Sequence, residues 1–177
     1  MFVTVLVTLV VMWVGVLVYA ATRPDTVIIQ RVTTIDAPPE TIFPLVSDFR
    51  NWPRWSPFEL LDPSMKRAHS GDLGSVGAAY DWEGNFKAGK GRMEIFDVKP
   101  PVYVMFSVDF FRPFQAHNMN LFALEPRGQS TRVIWIMDAK RPYMLRLMSV
   151  LMITDKRLGK YFEAGLARLK DAAEGIA

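Results

Sequence analysis

The side chains of this 177-residue chain that could perform chemistry are few and scattered. There is no cysteine, which excludes thiolate nucleophiles, thiolate metal sites and disulfide scaffolding. The two histidines, His69 and His117, stand far apart in the chain. Zinc needs several convergent ligands at suitable spacing, and no carboxylate run of the calcium or magnesium kind is present, so no metal is expected. Gly89-Lys90-Gly91 lacks phosphate-loop spacing and reads as a strand start or bulge. No serine sits in a nucleophile-elbow motif. Tyr80, Glu94 and Asp109 have the side-chain types for proton transfer, but type alone assigns no role. No catalytic residue and no cofactor follow from these residues. The most suggestive polar pair is Asn118 and Asn120: two residues apart on a strand, they share a face with Phe122 and Leu124. A buried amide must be paired, so these could hold the polar head of a ligand; alternatively they meet water at a cavity mouth or pair with backbone. His117 then points to the outer surface, and His69 reads as solvated.

Positioning those groups is the task of three kinds of segment. Phe2 to Ala21 carries no charge and only Thr4, Thr8 and Tyr19 as polar members. Twenty helical residues span about 30 Å, the thickness of a bilayer core. The expectation is a single-pass transmembrane anchor over residues 1–22 and one domain over 23–177. A cleaved signal peptide, suggested by Val18-Tyr19-Ala20 but lacking a basic start, and a buried core helix are the competing readings. Arg23 and Arg31 follow the span and favour a cytoplasmic domain. The net charge of +3 forms no basic stripe, so no nucleic-acid partner is expected.

The middle of the chain alternates. Val27 to Ile35 is a β-rich run. A short helix follows Asp36; that residue or a near neighbour could cap it, with Pro tolerated in the first turn and Pro44 awkward inside. Met65 to Val76 is polar with glycines and reads as a loop. From Ala78 on, apolar residues recur at every second position: Tyr80 and Trp82; Met93 and Ile95; Val102 through Phe110; Phe122 and Leu124; Val133, Trp135 and Met137. Turn residues separate these runs, which is the pattern of antiparallel strands with one buried face. Trp52, Trp55 and Phe58 either rim a pocket entrance or pack short helices onto that sheet.

After residue 140 the period changes. Met144, Met148, Leu151, Leu158, Phe162, Leu166, Leu169 and Ala173 recur at three or four residues, as in one long amphipathic helix. Gly159 and Gly165 inside it each cost about 1 kcal/mol relative to alanine, which close approach to a sheet would explain. A sheet with one apolar face and a helix with one apolar stripe bury each other, giving an α+β domain in which a curved antiparallel sheet wraps the C-terminal helix.

Ile35-Asp36-Ala37-Pro38-Pro39-Glu40-Thr41-Ile42-Phe43, followed by Val46 through Pro57 with its Asp48-Phe49-Arg50-Asn51-Trp52-Pro53 core, resembles the opening of the polyketide cyclase/dehydrase-like branch of the START-like (SRPBCC) superfamily. Phe122 to Pro126 with Gly128 to Trp135 is similar to its paired late strands, and Gly159 to Lys170 to its final helix. The resemblance implies a helix-grip fold with a cavity for lipids, polyketides or other apolar molecules. It implies no catalytic residue.

Inward positions of the strands and of the last helix are the expected ligand contacts. From the first strands these are Tyr80, Trp82, Met93 and Ile95; from the middle strands Phe106, Val108, Asn118, Asn120 and Phe122; then Trp135, Met148 and Phe162. The expected function is a membrane-anchored binding or carrier protein for a hydrophobic small molecule. The alternatives are a cyclase or dehydratase acting on an apolar substrate, which needs a titratable group in the cavity, and a protein-interaction domain, which needs an apolar patch outside it.

Overall fold

A computed structural model describes residues 2–140, 143, 146, 147 and 154–176, without the side chains of 154–157. Helix α1 (Phe2–Thr22) precedes strand β1 (Thr26–Ile35) and helix α2 (Pro39–Ser47). Two 3-10 turns (Phe49–Arg54 and Pro57–Leu61) lead into β2 (Lys66–Ser70) and β3 (Ala79–Glu83). Strands β4 (Lys90–Lys99), β5 (Tyr103–Arg112), β6 (Ala116–Arg127) and β7 (Ser130–Lys140) form the meander, and helix α3 (Thr154–Ala173) closes the chain. Met144, Met148, Leu151 and Met152 lie outside the described residues.

The seven strands make one antiparallel sheet in the order β1-β7-β6-β5-β4-β3-β2. Strand twist curves it around α3, so the expected α+β helix-grip architecture is what the chain adopts. The predicted alternation is visible as burial: on β7, Thr131, Val133, Trp135, Met137 and Ala139 are buried, and the residues between them face outward. Gly165 of α3 lies against the sheet. A Cβ there would come 3.1 Å from both the Trp135 ring and Pro57, so glycine lets the helix approach. Gly159 likewise passes close to the Arg31 guanidinium, which pairs with Glu163 at 2.7 Å.

Two sequence expectations need correction. Asp36 does not cap α2. The capping position is Pro38, with Pro39 starting the helix, and the Asp36 N–H instead donates to the Glu174 carboxylate at 2.7 Å, tying the end of α3 to the β1–α2 link. Residues 66–70 are not loop but edge strand β2. All five of its residues are exposed, so no apolar alternation marked it, and pairing with β3 alone defines it.

The proline- and tryptophan-rich corner has a clear task. A helix leaves its last carbonyls unpaired. At the end of α2 the corner supplies donors: Trp55 Nε1 to the Leu45 carbonyl (2.7 Å) and Trp52 Nε1 to that of Val46 (3.2 Å), while Asn51 Nδ2 adds a second donor (3.0 Å) to the Pro44 carbonyl, which already accepts from the Asp48 N–H. Trp52 and Trp55 are buried and meet Phe106, Phe122 and Trp135 edge-on. Both sequence readings have support in the geometry: Trp52 and Trp55 pack the turns onto the sheet, and Trp52 and Phe58 also line the cavity described below.

Helix α1 projects from this body and touches it near its C-terminal end, where Tyr143 and Arg146 reach the Leu17 and Ala21 carbonyls. Apart from Ala20, its residues are largely exposed. It is long and apolar enough to cross a membrane, and its exposure removes the buried-core-helix reading.

Candidate ligand-binding cavity

The sheet does not close evenly on α3. At the end carrying Ile35, Val104, Leu124, Val133 and Leu169 the side chains fill the space completely. At the other end a cavity of about 320 Å³ remains, at the lower limit of small-molecule sites. Cross-strand register explains its position. Tyr80, Met93, Val108 and Asn118 form one row across the inner face, and Phe106, Asn120 and Met137 the next. All seven line the cavity, with Trp82 and Phe110 at the strand ends and Trp135 beneath. Phe162 and Leu158 of α3 cover it.

Nine of the sequence-expected positions thus line one cavity: Tyr80, Trp82, Met93, Phe106, Val108, Asn118, Asn120 and Trp135 from the sheet and Phe162 from the helix. Ile95 and Phe122 do not line it. Each lies one row deeper than Met93 or Asn120 on its own strand, and Phe122 is stacked between Phe106 and Trp135. Met148 lies outside the described residues. Phe110 and Met137 continue the same alternation and could have been read from it. Trp52 and Phe58, which the sequence offered as a pocket rim, line it as well; Glu59, Leu61, Met65 and Ala88 could not be read, because turns and loops carry no period.

The polar groups of the wall are few and mostly committed. Trp135 Nε1 donates to Asn120 Oδ1 at 3.2 Å, deep in the protein. That pairing orients the Asn120 amide. Glu59, from the second 3-10 turn, is only 6% exposed. Its carboxylate accepts from the Tyr80 hydroxyl (2.7 Å) and from Arg67 Nε (2.9 Å). Arg67 reaches it from the inner face of β2, where neighbouring His69 stacks on the Tyr80 ring at 4.9 Å. This ion pair is the feature sequence reasoning missed, since β2 was not recognised and a glutamate on a turn shows no burial signal. His117 lies on the outer face as expected, 2.6 Å from Asp109. Among the described residues, no group of three or more metal-ligating side chains converges.

Burial pushes the Tyr80 phenol well above its ordinary value, and its hydrogen bond to the Glu59 carboxylate adds to the shift. The unfolded chain therefore loses this proton at a lower pH than the folded one, so stability falls as pH rises above about 10, the ordinary tyrosine value. Ultraviolet titration should show the Tyr80 phenol resisting ionisation until the chain unfolds, and Tyr80→Phe should remove that late step.

The arrangement can enclose an apolar molecule and offer it polar groups on two sides, Glu59 and Tyr80 by β3 and Asn118 and Asn120 on β6. Similar architecture is seen in solved proteins. The protein MLL2253 from Mesorhizobium loti matches with 16% identity, covering 86% of this chain and 98% of its own, at a TM-score of 0.61. CV1439 from Chromobacterium violaceum matches with 14% identity, 86% and 99% coverage and a TM-score of 0.58. Ara h 8.0201 matches with 12% identity, 85% and 97% coverage and a TM-score of 0.52. Likeness at this level of identity speaks to the fold. No curated protein matches the sequence. The family described as polyketide cyclase/dehydrase and lipid transport matches residues 26–174, from the start of β1 to just past the end of α3; the chain belongs to that family.

Proposed function

We propose that this chain is a membrane-tethered binding or carrier protein for one hydrophobic small molecule, lipid-like or polyketide-like, held in the cavity under α3. The observation that carries the reading is the cavity itself: aromatic and aliphatic side chains surround it, and its polar groups are few, with Glu59 and Tyr80 on the β3 side and Asn118 and Asn120 on the β6 side. Family membership supports the same class of ligand. Residues 1–22 serve as the anchor and 23–177 as the binding domain. Arg23 and Arg31 favour a cytoplasmic domain. A cavity of about 320 Å³ suits one ring system or one chain better than a whole two-chain lipid, being at the small end of the range.

Native mass spectrometry of the full chain released from detergent should show a bound mass that organic extraction recovers. Val108→Trp places a large ring in the cavity without touching the closed end, and should abolish that mass while the fold persists. Wild-type protein that carries no ligand and takes up no apolar probe would sink the proposal.

One observation favours a second reading, an enzyme of the cyclase or dehydratase type. Glu59 is an ionisable group buried in the cavity wall, as such chemistry requires. Molecules recovered from wild type and from Glu59→Gln separate the two. Identical species favour the carrier; accumulation of an unconverted precursor in the variant favours the enzyme.

A further inference from the structure

The open end of the domain and the membrane helix share one end of the sheet. Thr26, Lys140, Ala116, Arg112, Lys90 and Glu83 are strand termini linked across the sheet by register, so they lie along the same edge. The β3–β4 and β5–β6 turns project from that edge. It is also where α1 arrives and where the cavity-lining Trp82, Ala88 and Phe110 sit. Four residue steps separate Thr22, the end of α1, from Thr26, the start of β1. A chain extends at most about 3.6 Å per residue, so this edge is held within roughly 14 Å of the end of α1. Further contacts shorten the leash: Tyr143 Oη donates to the Leu17 carbonyl (3.1 Å), and Arg146 Nη1 to those of Ala21 (3.3 Å) and Arg23 (3.1 Å).

The two turns at this edge carry large apolar side chains that water should not favour. Phe86 on the β3–β4 turn is 79% exposed, and Phe111 and Phe114 around the β5–β6 turn are each 48% exposed. Charged groups surround them: Lys87 and Lys140 are exposed, as are Asp25 and Asp138, while Glu83 is held by Lys90 (3.0 Å) and Arg112 (2.6 Å). Exposed phenylalanines among charged groups, lysines included, suit a membrane-interface surface, where aromatic rings sit at the headgroup level. Lys87 also lines the cavity, so the mouth opens among these side chains.

We propose that this edge docks on the bilayer that α1 crosses, with Phe86, Phe111 and Phe114 seated at the lipid headgroup boundary, so that ligand passes between cavity and membrane without entering bulk water. The inference rests on the anchor reading of α1 given above. It adds an orientation: the cavity mouth faces the lipid, and the closed end with the β6–β7 turn faces away.

The absence of native cysteine makes the test direct. Single variants Phe86→Cys, Phe111→Cys, Phe114→Cys, Gln129→Cys and Val10→Cys of the full chain are labelled with a small fluorophore. Each is reconstituted in phosphatidylcholine vesicles, with and without phosphatidylcholine spin-labelled near the headgroup or deep in the chain. The Val10 label should lose fluorescence to the deep quencher. Labels at 86, 111 and 114 should lose it to the shallow quencher, and the label at 129, on the β6–β7 turn, should keep it. Quenching at 10 without quenching at 86, 111 and 114 overturns the docking and leaves the anchor standing. Equal quenching at 129 and at the three turn positions also overturns the docking. No quenching at 10 overturns the anchor and the docking with it.

Discussion

Replacing Trp55 with alanine is expected to remove about 4 kcal/mol of stability, the usual cost of deleting a fully buried tryptophan. Trp55 is completely buried, between Trp52, Phe122 and Trp135. Its indole also supplies the donor that the Leu45 carbonyl lacks at the end of α2. The substitution therefore opens a cavity and strands a buried acceptor at once, two costs that add. For a domain of this length the loss corresponds to roughly 10–15 °C in Tm. Urea unfolding followed by near-ultraviolet circular dichroism measures it. Trp55→Phe should recover part of the packing but not the hydrogen bond, and fall between the two. A loss below about 1 kcal/mol for alanine, the range of surface substitutions, would show that the corner does not clamp α2 to the sheet.

The second large effect concerns the buried ion pair. Arg67→Met is expected to cost about 2–3 kcal/mol, because it leaves the Glu59 carboxylate buried with Tyr80 as its remaining partner. The figure sits below the full cost of breaking an enclosed pair, since about a quarter of the Arg67 side chain is exposed and solvent screens it. Adding Glu59→Leu to Arg67→Met should restore most of the loss, since removing both charges also removes the cost of burying them. The two substitutions are then strongly non-additive, which a double-mutant cycle in urea reads directly. Additive losses would mean that the two side chains do not act as a pair. Ligand occupancy gives a second readout. If Glu59 and Tyr80 hold a ligand's polar head on the β3 side of the cavity, the double variant should retain the fold and lose selectivity for ligands with a polar head.

These expectations differ in where they could first be seen. Trp52 and Trp55 are conspicuous in the sequence, yet their service as donors to α2 needs three dimensions, because each indole reaches back six or ten residues to a specific carbonyl. Arg67 and Glu59 were invisible. Neither sits in a periodic segment, and β2 offers no apolar alternation because an edge strand exposed along its length has no face to bury. By contrast, Val108, Asn118, Asn120, Trp135 and Phe162 were legible as inward positions, since side chains alternate along a strand and recur at three or four residues along a helix.

The sequence by itself determined the anchor-like first helix, the strand meander, the amphipathic last helix and the face each turns inward. Hydrophobic patterning fixes these because it depends only on local periodicity. How deep the filled core extends along that face was decided by the tertiary structure alone. Ile95 and Phe122 follow the same alternation as Met93 and Asn120, yet neither lines the cavity although their cross-strand partners Phe106 and Trp135 do; Phe122 is covered by Trp55 and stacked between Phe106 and Trp135. Which inward residues meet a void is settled by where the helix and the turns run out of side chains to fill it, and no periodicity in one segment encodes that.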